Sequence, residues 1–168
     1  VTFLNVLNNP IIDCKAFEDV NVGIHEKQNK VQKGDLLFNT SSETPEEVGI
    51  CATLNEDVEN LYLNSFCFGF RVNEGYSPVF LSYFFRGKPG RIFMTTLAQG
   101  STRYTLSKEN MLKSSIFIPS SQEEQTAIAN ILTDMDNEIA KLEIKKSKYE
   151  AIKQGMMQQL LTGKIRLV

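Results

Sequence analysis

The chain has 168 residues, of which 42% are hydrophobic and 23% are charged. This is the size of one ordinary domain, or of a small domain with an appendage, and it suffices for a buried core. Eleven Phe and five Tyr supply more apolar surface than disordered chains carry. No apolar run approaches the roughly eighteen residues of a membrane span, and no basic-then-apolar leader indicates secretion.

Residues that carry catalytic or metal chemistry are few. Cys14, Cys51 and Cys67 form no C-x-x-C pair, which argues against a zinc site or a disulfide framework and favours a reducing cytoplasm. His25 is the single histidine, and its polar surroundings are typical of a surface loop rather than of a catalytic site. No dinucleotide or P-loop motif occurs. The sequence therefore favours binding over catalysis, and we expect neither a cofactor nor a metal.

Charge is distributed unevenly along the chain. Residues 1–60 contain eleven acids and four bases, residues 61–119 contain two acids and seven bases, and residues 120–168 contain seven of each. Phosphates respond to the local field rather than to the net charge of −2. The basic middle segment is thus compatible with nucleic acid binding, although a solvated basic face explains the same composition.

The first 119 residues have the patterns of a mixed α and β domain. Phe66, Phe68, Phe70 and Val72 alternate with other residue types, which predicts a half-buried strand. A serine followed by proline at Ser77 predicts a helix start, and Ser107 is expected to cap a further helical turn. The predicted elements are a strand at 31–38 entered by a turn at 33–35, an acidic loop at 41–47, a strand at 48–54, a helix at 79–85, a Gly/Pro break at 87–90, a helix at 91–98, a polar loop at 99–104, one helical turn at 107–112 and a closing strand at 116–118.

The pattern changes after Pro119. Ser120 and Ser121 each begin an S-x-x-E capping box, and no proline follows before Thr162. Apolar residues then recur at steps of three, four and seven, which predicts a helix of some forty residues, about 60 Å long, with a coiled-coil seam. The alternative is a helix folded across its own domain. The predicted dimerisation residues are Ile128, Leu132, Met135, Ile139, Leu142, Tyr149, Met156 and Leu160.

Several segments resemble one known family. They are residues 119–125, the run Ile128-Ala-Asn-Ile-Leu132, the ending 154–167, the Gly-Asp-Leu-Leu-Phe motif at 34–38, and Gln99-Gly-Ser-Thr-Arg103. Together these motifs resemble the specificity (S) subunit of type I restriction–modification systems. The resemblance covers most of the chain, and the beginning, Val1-Thr-Phe-Leu, is similar to the family some way into its domain, so we expect the first strands to be missing.

The resemblance implies an α+β fold, with a DNA target recognition domain at residues 1–119 and a conserved dimerisation and spacer helix at 120–168. It implies a cytoplasmic, non-catalytic subunit that reads one half of a bipartite site in double-stranded DNA. The implied protein partners are methyltransferase (modification) subunits and restriction subunits. Family helices pair antiparallel, so with one recognition domain and one helix here we expect a homodimer. The alternative is an interaction scaffold with a dimerisation stalk that does not read DNA.

Polar loops of the basic segment are the expected recognition surface. Arginine pairs bidentately with guanine, and Asn or Gln with adenine. The Gly34-Asp35 pair is expected to form a turn rather than to read bases. The predicted base-reading residues are Asn39, Thr40, Ser41, Gln99, Ser101, Thr102, Arg103 and Tyr104, and the predicted phosphate contacts are Arg71, Lys88, Arg91 and Lys108.

Overall fold

The computed structural model describes residues 1–23 and 25–167, and its internal contacts divide it into two units, Val1–Ala129 and the chain from Asn130 onward. In chain order the elements are α1 (Phe3–Asn8), β1 (Asp35–Asn39), β2 (Ser41–Ser42), β3 (Cys51–Thr53), β4 (Cys67–Arg71), α2 (Pro78–Arg86), α3 (Lys88–Leu97), β5 (Tyr104–Thr105), α4 (Lys108–Lys113) and α5 (Gln122–Leu161). Small antiparallel sheets, short helices and a long C-terminal helix confirm the predicted α+β class. Within the described residues, no helix is both long and apolar enough to cross a membrane.

β1 is the central strand of a three-stranded antiparallel sheet with the order β3-β1-β4. Leu37 lies opposite Ala52 of β3 and Gly69 of β4. All five residues of β1 are buried, because alternate side chains enter two different apolar clusters. Leu36 and Phe38 enter one, and Leu37 enters the other. A strand covered on both faces carries a continuous apolar run, which is what the sequence shows here.

Phe38 is the centre of an aromatic cluster between the sheet and α2. Its ring stacks on Phe68 at 5.5 Å between centroids and meets Phe85 edge-on at 5.3 Å and Phe70 at 6.0 Å. Aromatic pairs of this kind add about 0.5–1.5 kcal/mol each beyond the burial of area. The predicted strand through Phe68 and Phe70 is confirmed, whereas Phe66 precedes β4 and is 59% exposed.

Serine side chains begin two helices as predicted. The Oγ of Ser77 accepts a hydrogen bond from the N–H of Phe80, and that of Ser107 accepts one from the N–H of Asn110. Each bond satisfies a backbone donor that the first helical turn leaves without a partner. Pro78 occupies the first position of α2, where a missing N–H costs nothing.

Arg86, at the end of α2, connects three elements. Its guanidinium donates hydrogen bonds to the carbonyls of Val6, Leu7 and Asn9 at the end of α1, and its Nε donates to the carbonyl of Cys51 in β3. A cation is favourable at a helix C-terminus, where carbonyls without a helical partner carry partial negative charge. One side chain thus fixes α1 and α2 against the sheet.

The predicted break between the two middle helices is confirmed at Gly87, which separates α2 from α3, but it is shorter than expected. Residues 88–90 form the first turn of α3, which begins three residues earlier than predicted. Pro89 is compatible with a first turn. Gly90 is required because a Cβ there would lie 2.2 Å from the carbonyl oxygen of Phe84 and 2.4 Å from the Cα of Phe85. The glycine thus permits close packing of α3 on the end of α2.

The predicted closing strand at 116–118 is wrong. These residues have no regular secondary structure and pair with no strand in the described structure. Ile116 and Ile118 pack partly buried against the core cluster around Phe38, while Phe117 between them is 96% exposed. A segment that buries every second side chain against a core has the alternating sequence of a strand, whether or not its backbone pairs with another strand.

The start of α5 is fixed by two polar side chains. The Oγ of Ser121 accepts a hydrogen bond from the N–H of Glu124. Gln125 is fully buried: its Oε1 accepts from the N–H of Ser77, and its Nε2 donates to the carbonyl of Pro119. Burial of Gln125 and Ala129 explains why the first two turns of α5 belong to the first unit.

From Asn130 onward most of the predicted seam residues are exposed, whereas Leu132 and Leu160 are half-buried. Met135, Ile139, Leu142 and Tyr149 are 57%, 52%, 56% and 60% exposed, respectively. α5 is nevertheless continuous to Leu161, which confirms the predicted helix. A helix with such a stripe presents a continuous apolar surface to solvent.

We predict that Gln125→Met destabilises the first unit by at least about 2 kcal/mol. Methionine preserves the volume of the side chain but leaves the N–H of Ser77 and the carbonyl of Pro119 without partners, and an unsatisfied buried group costs about 1–3 kcal/mol. Urea unfolding followed by far-UV circular dichroism measures the difference. The matched control is Gln122→Met at an exposed position of the same helix. Equal stability of the two variants would contradict the role of Gln125.

Candidate nucleic-acid interface

The structure joins the two polar loops that the sequence identified. β2 pairs antiparallel with β5, so that Ser41 lies opposite Thr105 and Ser42 lies opposite Tyr104. The N–H of Leu106 also donates to the carbonyl of Thr40 at 3.0 Å. We call this two-stranded element the β2–β5 ribbon. It brings loops that are some sixty residues apart in the sequence onto one surface.

Arg103 connects the two strands of the ribbon through its side chain. Its Nε donates to the Oγ of Ser41 at 3.0 Å, while the residue as a whole remains exposed. Ser41 itself is buried. A guanidinium carries five N–H donors, and this bond uses one of them. The bond therefore holds Arg103 in place and uses none of its other N–H donors.

The loop before β5 is closed by the main chain. Gln99 and Thr105 exchange backbone hydrogen bonds at 3.0 and 2.8 Å. Gly100 has φ of +129°, and a Cβ there would lie 2.1 Å from the carbonyl oxygen of Arg103, so only glycine fits the turn. The side chains of Gln99, Ser101 and Thr102 are exposed around it.

Asn39 differs from the other predicted base-reading residues because it is fully buried. Its Oδ1 accepts from the N–H of Ile50 at 2.6 Å, and its Nδ2 donates to the carbonyls of Glu47 at 2.9 Å and Ser41 at 3.4 Å. These three bonds occupy both ends of the amide. The structure therefore places Asn39 under the ribbon, as a support for it, and not on its outer surface.

Two of the predicted phosphate contacts lie around one polar cavity. Arg71 and Lys108 line a cavity of about 270 Å³ together with Lys30. Arg71 pairs with the buried carboxylate of Asp35 through Nε at 3.0 Å and Nη2 at 3.2 Å, and this partner raises the pKa of Arg71. The ammonium of Lys108 lies 5.4 Å from the ring centroid of Phe68. Arg71 and Lys108 both remain exposed.

The other two predicted phosphate contacts lie on α3. Lys88 is exposed, but Arg91 is partly buried, and burial lowers its pKa. The Nη2 of Arg91 donates to the carbonyl of Val48, while its Nε and Nη1 are enclosed without a hydrogen-bond partner in the described structure. Arg91 thus braces the turn before β3. Glu46 lies on that turn and lines a second cavity with Lys88 and Arg91.

His25 and the cysteines are the residues that the sequence offers for catalytic or metal chemistry. His25 is exposed in a turn. Burial raises the pKa of the Cys51 thiol far above its ordinary value and that of Cys67 to about 11. Thiols that stay protonated at neutral pH are weak nucleophiles. Among residues 1–23 and 25–167, no group of His, Cys, Asp and Glu side chains could hold a metal ion.

Sequence reasoning missed two features of this surface. Strands of two residues, such as β2 and β5, are too short for periodicity to reveal. Nor does the sequence reveal that the acidic residues of the 41–47 loop fold back on the ribbon, where the Oγ of Ser42 donates to the Oε2 of Glu47 at 3.1 Å. The exposed polar rim of Gln99, Ser101, Thr102 and Arg103 has the donors and acceptors that base edges recognise.

Comparison with known proteins gives two findings. The family model described as "Type I restriction modification DNA specificity domain" matches residues 3–154. The fold is similar to the crystal structure of the type I restriction–modification system S subunit from M. genitalium, with a TM-score of 0.58 at 16% sequence identity. That alignment covers 79% of this chain and 33% of the M. genitalium chain, so the present chain spans about a third of that relative.

We predict that Arg103→Ala weakens binding to a specific DNA duplex by about 1–3 kcal/mol. The variant loses a guanidinium that the ribbon holds in position, and Arg103→Lys should rescue little, because lysine cannot pair bidentately. Fluorescence anisotropy against a selected duplex measures the loss. Lys113→Ala, which removes an exposed cation from α4, is the matched control for loss of charge. Equal effects of Arg103→Ala and Lys113→Ala would remove Arg103 from the interface.

Proposed function

The chain belongs to the family of type I restriction–modification DNA specificity domains, and from this premise we propose that it reads one half of a bipartite site in double-stranded DNA. Recognition of a DNA sequence is the function of this family. The β2–β5 ribbon supports the proposal for this chain, because it joins the polar loop at 99–104 of the basic segment to the polar residues 39–41 of the acidic segment. A two-stranded ribbon is narrow enough to enter the major groove, where base pairs are distinguishable.

Within this proposal the ribbon and its loops divide into two kinds of contact. Gln99, Ser101, Thr102, Arg103 and Tyr104 approach base edges, with Thr40 and Ser41 beside them. Arg71, Lys88 and Lys108 are exposed cations that contact phosphates and orient the domain without specifying sequence. We assign Asn39 and Arg91 supporting roles, because their polar atoms are engaged or enclosed within the protein.

We propose that the long helix, and not the recognition domain, determines how copies of the chain associate. The recognition domain of this proposal comprises residues 1–119, and the helix comprises 120–168. The seam from Met135 to Leu160 packs against the same seam of a second copy. The two helices are antiparallel and related by a two-fold axis. The exposure of Ile139 and Leu142 in the single chain supports such pairing.

In this assembly the chain acts as a non-catalytic subunit in the cytoplasm. Methyltransferase subunits dock on it and modify the site that it selects, and restriction subunits join them. The chemistry then resides in those partners, and the present chain needs no cofactor of its own. The family match supports this arrangement.

A second candidate is an interaction scaffold that dimerises through the same helix but reads no DNA. The exposed seam favours it as much as it favours the first proposal. Binding of duplex DNA separates the two. A specificity domain should bind with an affinity that falls steeply as salt rises, with a slope near −0.9 for each phosphate that it neutralises.

We therefore expect log affinity to fall with log salt concentration with a negative slope of several units. We also expect a preference for one sequence to remain at high salt. Anisotropy with a random duplex and with a selected duplex measures both. Binding that is absent at low salt would reject the recognition function in favour of the scaffold. Salt-dependent binding with no preference would reject sequence reading.

We predict that the double variant Ile139→Asp/Leu142→Asp is monomeric. Two carboxylates in an apolar seam would be desolvated without a partner, which costs several kcal/mol. Sedimentation velocity measures the association state. Ala140→Asp/Lys141→Asp, on other faces of the same two turns, is the matched control and should remain dimeric. A dimer that persists in the seam variant would contradict the proposed pairing.

A further inference from the structure

An acidic turn follows the ribbon directly. Glu43, Glu46 and Glu47 lie between β2 and β3, and all three are exposed. Carboxylates repel DNA phosphates, so an interface gains nothing from acids that face the backbone. On the surface that the proposed function assigns to DNA, a carboxylate is favourable where it faces a cation of the protein, as Glu46 does beside Lys88 and Arg91, or a hydrogen-bond donor of a base.

Glu47 is the acid whose side chain joins the ribbon. The Oγ of Ser42 donates to its Oε2 at 3.1 Å, and Ser42 lies opposite Tyr104 in the pairing of β2 with β5. A carboxylate accepts up to about four hydrogen bonds, so the bond from Ser42 occupies a fraction of its capacity. The carboxylate of Glu47 is therefore positioned at the end of the same ribbon that carries Arg103.

Hydrogen bonds to Asn39 and Thr44 fix the main chain of Glu47. Its carbonyl accepts from the Nδ2 of the buried Asn39 at 2.9 Å, and its N–H donates to the carbonyl of Thr44 at 3.3 Å. Gly49 then turns the chain with φ of +69°, where a Cβ would lie 2.3 Å from the Cδ1 of Leu106. A side chain held by its own backbone and by a neighbour is preorganised to select one geometry.

From this geometry we infer that Glu47 is a specificity-determining residue that accepts a hydrogen bond from the N4 amino group of a cytosine in the major groove. The inference rests on the proposed function. An ionised carboxylate only accepts hydrogen bonds. Guanine presents two acceptors there and thymine presents one, whereas adenine places its N7 acceptor beside its amino group. Cytosine is the base whose own edge offers a donor without an adjacent acceptor.

Three proteins test the inference: the wild-type chain, Glu47→Gln, and Glu43→Gln as a matched control. Both variants lose one negative charge from the same turn. The probe is a pool of randomised duplexes, selected by each protein and sequenced, which yields a base preference at every position of the half-site. We expect Glu47→Gln to lose preference for cytosine at one position, by on the order of tenfold, and Glu43→Gln to keep the wild-type preferences.

A second measurement leaves the protein unchanged. Each cytosine of the wild-type half-site is replaced in turn by 2-pyrimidinone, which lacks the N4 amino group. We expect one replacement to weaken wild-type binding by on the order of tenfold, and the same replacement to have little effect on Glu47→Gln. Because the wild-type arm contains no substitution in the protein, its tolerance of 2-pyrimidinone at every cytosine would reject the assignment even if the variant fails to fold.

Three outcomes would overturn the assignment of Glu47 alone. The first is uniformly tighter binding of Glu47→Gln with unchanged base preferences, which would show that the carboxylate only repels phosphates. The second is an equal loss of base preference in Glu47→Gln and Glu43→Gln. The third is full tolerance of 2-pyrimidinone by the wild-type protein. A wild-type chain that selects no sequence from the pool would instead overturn the proposed function, and this inference with it.

Discussion

The buried amide of Asn39 is the constraint on which the candidate interface depends. It lies at the end of the central strand β1 and bonds three main-chain groups, namely the N–H of Ile50 and the carbonyls of Glu47 and Ser41. Each group would cost about 1–3 kcal/mol if it were buried without a partner. The amide therefore fixes where the sheet ends, where the ribbon begins and how the acidic turn folds back. A residue that the sequence suggested as a base reader instead shapes the surface that we propose to read bases.

The same principle of polar side chains that satisfy main-chain groups recurs through the first unit. Arg86 connects α1 and α2 with the sheet, and Gln125 connects the first turns of α5 with the start of α2. These contacts join segments that are far apart in sequence and hold the first unit together as a whole. From Asn130 onward the opposite holds, since α5 is local structure with an exposed apolar stripe. We infer that the first part determines what is recognised and the second how copies assemble.

The sequence predicted what local chemistry determines. The serine caps of α2 and α4, the strand through Phe68 and the uninterrupted α5 were all predicted, because caps, alternation and the absence of proline act over a few residues. It failed where distant packing decides. Pro89 and Gly90 signal a break in isolation, but α2 makes them the first turn of α3. The pairing of Ser42 with Tyr104, the support from Asn39 and the contact of Glu47 with the ribbon depend on residues that are distant in sequence or too few to form a pattern.

We propose that this chain selects a DNA sequence as one half of a symmetric pair. The most direct measurement combines the chain with a methyltransferase subunit of its system and maps the methylated adenines across a genome. Two identical recognition domains related by a two-fold axis require half-sites that are inverted copies. We expect methylation at one interrupted palindrome. Methylation without sequence preference would contradict the recognition function, and a site with two unlike halves would show that the working assembly is not a symmetric pair of this chain.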